Sequence, residues 1–195
     1  MRNRTNEGEL IPIIVLAIIN LLVFIGVNIA DRTGAGIIQY LALSRLTFLE
    51  YPWTILSYMF THLDFFHLLF NMLTLYFFGS FLNRIAGVKA FLIIYFTGGL
   101  LGGLLVLLLS PVSSFTIGAS GAIFALGGAL AVLAPSLKVF IFPIPVPMPL
   151  WVSILVSFLV LAILPGVSWQ GHLGGLLFGL LAGWYLRKRT RVYIN

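Results

Sequence analysis

Six apolar runs of helical length follow one another along the chain, and breaks of glycine, proline or charge separate them. A bilayer core of ~30 Å takes ~20 helical residues. The first run extends from about Leu10 to Ile29, the second from about Leu63 to Leu82 and the third from Ala90 to Leu109. The fourth covers Ser120 to Ala134, the fifth Leu150 to Leu164 and the sixth about Gln170 to Leu186. Asn83, Arg84, Gly87 and Lys89 make a short turn after the second run, and Ser110-Pro111-Val112-Ser113-Ser114 breaks the third. A connection with Pro135, Lys138 and prolines at 143, 145, 147 and 149 follows the fourth, and Pro165-Gly166 ends the fifth. Between the first two runs, Leu41, Leu43, Leu46, Phe48, Leu49 and Trp53 make the segment too apolar for a plain linker. It reads as a folded loop lying at the membrane surface. The first run is followed by no clear small-residue cleavage site, so it reads as a retained helix.

Composition sharpens this picture. The chain is 61% apolar and 8% charged, against about 45–50% and about 25% in ordinary soluble domains. The expectation is a polytopic membrane protein, one transmembrane domain over residues 1–195 with no separate soluble domain. The net charge of +6 does not imply nucleic acid, because the basic residues are scattered or lie at helix ends. Arg2, Arg4, Arg84, Lys89, Lys138, Arg187, Lys188, Arg189 and Arg191 fall on one side of a six-span topology, and only Arg32 and Arg45 on the other. This bias puts both termini in the cytoplasm, and the expected location is the cell (inner or plasma) membrane. There is no cysteine, which excludes disulfides, thiol catalysis and thiolate metal sites.

With that topology the second, fourth and sixth runs all begin at the external face, and depth becomes arithmetic. Ser120 to Ala134 and His172 to Leu186 are equal in length, ~22 Å of helix each. Ser120 and His172 therefore share a depth, roughly 8–10 Å below the outer surface of the core. His67 lies at a similar or slightly shallower level, and Asn71 one turn deeper on the same face.

A serine in a membrane helix ordinarily packs and bonds to its own backbone, and a lone histidine there can be an interhelical hydrogen bond. Here a serine, a histidine and a His/Asn pair fall at one depth on three helices of one orientation. A serine needs a base to become a nucleophile. No Asp or Glu lies inside a run, and Asp64 stands at the outer edge of the second, so a Ser120–His172 dyad is what remains of the triad logic. Ser120 also opens a helix, where free N–H groups and the positive end of the dipole favour an oxyanion. His67 and Asn71 can both donate to it. Gly171, Gly175, Gly179 and Gly183 repeat every four residues, and Gly121, Ala125 and Ala129 offer a matching small face. Neither a metal nor any other cofactor is expected, since no carboxylate or cysteine accompanies the histidines and only His67 and His172 read as buried.

Gly118-Ala119-Ser120-Gly121, Phe60-Thr61-His62 with His67-Leu68-Leu69-Phe70-Asn71-Met72, and Gly171-His172-Leu173-Gly174-Gly175 together resemble the motifs of rhomboid intramembrane serine proteases of the compact six-helix prokaryotic type. The resemblance implies an all-α, six-transmembrane-helix bundle with a membrane-embedded loop between helices 1 and 2. It implies an endopeptidase that cleaves transmembrane segments of membrane proteins near the external boundary, with the bilayer and such segments as partners and neither nucleic acid nor metal among them. Ser120 would be the nucleophile and His172 the base, then acid. His67, Asn71 and the Ser120 N–H would form the oxyanion hole, and Phe124 would stack near His172. Gly118, Gly121 and Gly175 would support the site. The fifth run carries no charge, and bulky residues such as Trp151 and Phe158 are expected to loosen its contacts with the second, which makes it the expected lateral gate for substrate. Two positions depart from the family pattern: Thr54 follows Trp53 where an arginine is usual, and Asn83 stands where a glutamate is common. A non-catalytic rhomboid-fold protein that binds or routes membrane segments is the alternative, although such relatives usually lack the serine or histidine. A small transporter would need paired carboxylates or broken half-helices in two repeats, and neither is present.

Overall fold

In the computed structural model, residues 7–141 and 144–190 are described. The basic residues Arg2, Arg4 and Arg191, and Pro143 of the expected connection, lie outside the described residues. Helix α1 spans Glu7–Arg32, α2 Thr54–Ser57, α3 Phe65–Ala86, α4 Val88–Leu109, α5 Ser120–Leu133, α6 Leu150–Ile163 and α7 Trp169–Thr190. By length and apolarity α1 (from Leu10), α3 and α4 can each cross a membrane, while α5 and α6 are shorter apolar helices.

The centre of the bundle is α5, buried at every residue from Gly121 to Ala131. A helix that is apolar all round belongs inside, and the run Gly121-Ala122-Ile123-Phe124-Ala125-Leu126 has no polar face to present. Its neighbours reach it through missing side chains. A Cβ on Gly175, Gly179 or Gly183 of α7 would collide with the backbone carbonyl oxygen of Gly121, Ala125 or Ala129, respectively. Gly174, on the adjoining face of α7, lies against α4, where its Cβ would stand 2.7 Å from the Leu101 carbonyl oxygen. Close backbone approach of this kind is what a repeating small residue permits in a membrane, where burial of apolar surface does not drive helices together. At the far end of the pair, Arg187 on α7 donates to the Val132 carbonyl oxygen of α5 at 3.5 Å.

The segment between α1 and α3 is folded, as its apolar content implies. A 3-10 turn at Ile37–Tyr40 precedes α2, and a second at Tyr58–Phe60 follows it. Tyr58 and Met59 enter the core, 1% and 0% exposed. The Tyr58 hydroxyl donates to the Gly99 carbonyl of α4 at 2.6 Å. The Trp53 indole donates to the Tyr40 carbonyl, and Thr54 Oγ1 to the Tyr51 carbonyl. Thr54 is thus engaged locally, and Arg45 supplies the loop's guanidinium contact, to the Ser110 carbonyl at 2.9 Å. Leu43 and Thr116 exchange both backbone hydrogen bonds, pinning this loop to the one that leads into α5. Leu46, Leu49, Trp53 and Leu56 remain exposed.

One element departs from the all-α expectation. The proline-rich connection after α5 is a two-stranded antiparallel hairpin, β1 (Lys138–Ile141) and β2 (Ile144–Pro149). Alternate residues of a strand direct their N–H groups to opposite edges. Leu150 donates to the Leu137 carbonyl, and Met148 faces Val139. Pro149, between the two, therefore falls on the outer edge, where no ladder donor is lost, and beyond Met148 the register shifts before Ile141 pairs with Ile144.

Candidate active site

Asp64 begins the site by starting α3. Its carboxylate accepts the His67 N–H at 2.9 Å, an N-cap that fixes His67 in the first turn. Asn71 follows one turn later and donates from Nδ2 to the His67 carbonyl at 2.7 Å. That bond uses one of the two amide hydrogens. Asn71 is buried, and its Oδ1 has no hydrogen-bond partner among the described residues. The His67 Nδ1 accepts from the Leu63 N–H at 3.5 Å, so the neutral ring carries its proton on Nε2.

The loop from Ser110 to Ala119 brings the chain to α5. Gly118 has φ 115°, a conformation that favours glycine. A Cβ there would stand 2.7 Å from His67 Nε2 and 3.8 Å from Ser120 Oγ, so its absence opens a space between the two. The Gly118 N–H donates to the Tyr58 carbonyl at 2.8 Å. The Ile123 N–H donates to the Ala119 carbonyl, which leaves the N–H groups of Ser120, Gly121 and Ala122 outside the helical ladder.

The remaining member comes from α7. His172 Nε2 lies 2.8 Å from Ser120 Oγ. The imidazole is 5% exposed and stacks on Phe124, one turn along α5 from Ser120, with centroids 4.6 Å apart and planes at 30°. Its Nδ1 is buried without a hydrogen-bond partner among the described residues. Among those residues no group of three or more His, Cys, Asp or Glu side chains could hold a metal.

A Rhomboid domain family model matches residues 49–189, which take in every residue of this cluster. The chain belongs to the rhomboid family. It is 34% identical over 145 residues to rhomboid protein 1, mitochondrial, of Saccharomyces cerevisiae, covering 69% of this chain and 42% of that protein. It is 34% identical over 130 residues to the rhomboid protease GluP of Bacillus subtilis (67% and 25%), and 35% identical over 138 residues to RHOMBOID-like protein 4 of Arabidopsis thaliana (70% and 34%). The chain thus spans less than half the length of these curated relatives. As a rhomboid with several long apolar helices it is an integral membrane protein.

His62, part of the Phe60-Thr61-His62 motif but not expected to be buried, also joins this cluster. His62 lies outside any helix and is 1% exposed, so His62 and His172 are the buried histidines and His67 is half-buried. Its Nε2 accepts the Ala119 N–H at 3.5 Å, and its ring meets that of His67 at 4.9 Å. It therefore touches both the serine loop and the His67 ring. Burial, and then the neighbouring His67, lower its pKa from 6.5 to about 3. The unfolded chain binds the proton that the folded chain refuses, so stability is full above 6.5 and is lost as pH falls toward 3. The melting temperature in detergent should decline over that window, and His62→Gln, which does not titrate, should decline less steeply. An equal slope in both proteins would remove this role.

Proposed function

We propose that this rhomboid is an intramembrane serine endopeptidase that cuts transmembrane segments of membrane proteins near the external membrane boundary. The 2.8 Å approach of His172 Nε2 to Ser120 Oγ, at the open end of a buried helix, carries this reading. As Oγ attacks the scissile carbonyl carbon, its proton passes to Nε2, and the carbonyl oxygen becomes negative. The tetrahedral species collapses, the C–N bond breaks, and Nε2 returns the proton to the leaving amine. Water then hydrolyses the acyl-enzyme, with His172 again as base. The oxyanion is held by the Ser120 N–H, by His67 Nε2–H and by the second amide hydrogen of Asn71. The space left by the missing Gly118 side chain accommodates it.

The same reading makes α1 and α3 to α7 six membrane-crossing helices of one transmembrane domain over residues 1–195. Fourteen residues of α5 give ~21 Å of helix, short of a ~30 Å core. Ser120 then lies below the outer surface, beneath an aqueous vestibule rimmed by residues 110–117 and 165–170. The exposed Leu46, Leu49, Trp53 and Leu56 suit a loop embedded in the outer leaflet. The basic ends, with Arg84, Lys89, Lys138, Arg187 and Lys188, suit the cytoplasmic side of a cell membrane.

The test is cleavage of a single-span substrate in liposomes, with the cut mapped by mass spectrometry. A cut within the externally facing end supports the reading, and a cut at the cytoplasmic end refutes the topology. Asn71→Ala should lower kcat by about 10–10³-fold with KM little changed, since one donor of several is lost. If Asn71 only bridges helices, its removal lowers the melting temperature and leaves kcat per folded molecule unchanged.

A further inference from the structure

Phe124 stands between the proposed dyad and a second aromatic ring. One side of it stacks on the His172 imidazole. Its other neighbour is Phe158 of α6, met edge-on with centroids 6.2 Å apart and planes at 83°.

Helix α6 is held lightly. Its buried residues are Leu150, Ser153 and Ile154, all near its start, while Leu155, Leu159, Val160 and Ile163 are exposed. Ile154 seats where Gly127 lacks a side chain: a Cβ there would stand 2.6 Å from Ile154 Cδ1. One turn further along α6, and about one turn back along the antiparallel α5, Phe158 meets Phe124. This contact brings α6 against the ring that stacks on His172.

His172 needs such a contact. Among the described residues no group hydrogen-bonds to Nδ1, so none of them holds the rotation of the imidazole from that side. In a Ser-His-Asp site the third residue does that work. Here an aromatic face is what the ring rests on, and that face is itself backed by Phe158. Edge-to-face pairs have a preferred geometry that an aliphatic side chain of similar bulk does not reproduce.

We propose that Phe158 is a positioning residue: it sets the tilt of Phe124, and through it keeps the plane of His172 aligned with Ser120. This rests on the dyad reading. Outward movement of the outer half of α6 then does more than open a path from the lipid. It withdraws the backing from Phe124 and slackens the imidazole, so the reaction runs fast only after α6 has settled back.

Small serine-directed fluorophosphonates separate the two effects, because they reach Ser120 without displacing a helix. In the purified full chain, Phe158→Leu should slow both labelling and kcat by about 2- to 10-fold, the range that one aromatic pair contributes. KM should be little changed, and Phe158→Tyr should restore the rate. Phe124→Leu should slow labelling similarly, and the double variant should be no slower than Phe124→Leu alone, because the effect of Phe158 passes through Phe124. Wild-type labelling in Phe158→Leu, with cleavage unchanged or raised, would overturn the proposal and leave Phe158 a packing residue in the substrate's path. Additive losses in the double variant would also overturn it. Should wild type itself not be labelled at Ser120, the dyad reading fails and the proposal with it.

Discussion

Ser120→Ala and His172→Ala should each reduce cleavage of a single-span substrate by roughly 10⁴–10⁶-fold, and the double variant should be no slower than either single one. The reason for expecting collapse is the short inventory of groups around Oγ. Nε2 of His172 is 2.8 Å away, while the nearest carboxylate along α3, Asp64, is engaged with the His67 N–H. His67 carries its proton on Nε2 and cannot accept another there while neutral. Among the described residues no other side chain is placed within hydrogen-bond reach of Oγ, so under the proposed mechanism removing either dyad member removes the same step. Non-additivity is the diagnostic part. Two residues contributing independently would multiply their losses, whereas one proton-transfer unit can be lost only once. The measurement is kcat per folded molecule for four proteins prepared in parallel, with fluorophosphonate labelling as a second readout. His172→Ala cleaving within tenfold of wild type would sink the assignment of His172 as base.

Much of this architecture is legible in the sequence because a membrane simplifies the physics. Backbone groups in lipid must be satisfied within helices, so apolar runs translate directly into elements. The third run, Ala90 to Leu109, differs from α4 only by two residues at its start. The glycines at 175, 179 and 183 stand against α5 because a four-residue period places them on one stripe. Outside the apolar runs the rules lose force. The hairpin is hidden because its prolines read as breakers, although Pro149 sits on an edge of β2 where no ladder donor is needed. The burial of His62 is hidden for a different reason. Phe60-Thr61-His62 is part of the motif that carries the family resemblance, but the contact with Ala119 joins residues 57 apart in sequence, which a local motif does not announce. Phe158 shares that difficulty: an apolar ring in an apolar helix carries no signal of which neighbour it will meet.

Gly175→Ala should be the most damaging single change that adds only a methyl group. The added Cβ would collide with the Gly121 carbonyl oxygen, and would stand 2.8 Å from the Gly121 carbonyl carbon and 3.4 Å from the Ala125 nitrogen. All of these are backbone atoms of the buried central helix, so no side chain can rotate aside. Relief requires α7 to move away from α5, and it must do so one turn from His172 and one residue from Ser120. A displacement near 1 Å at a reacting centre costs about 10²-fold in rate, and overpacking of a tight contact costs about 1–3 kcal/mol. Gly175→Ala should therefore lose activity by about 10²-fold or more while a folded fraction persists, with a clearly lower melting temperature. Gly26→Ala is the matched control. That glycine lies on the exposed part of α1, where an added methyl group would have nothing within 4 Å, and alanine is the better helix former by ~1 kcal/mol. It should melt no lower than wild type and cleave at the same rate. The two variants, compared by circular dichroism and by labelling at Ser120, separate the cost of adding a methyl group from the cost of adding it between α5 and α7. If Gly175→Ala labels and melts like wild type, then α7 is not seated on the α5 backbone and the spacing of the dyad has another origin.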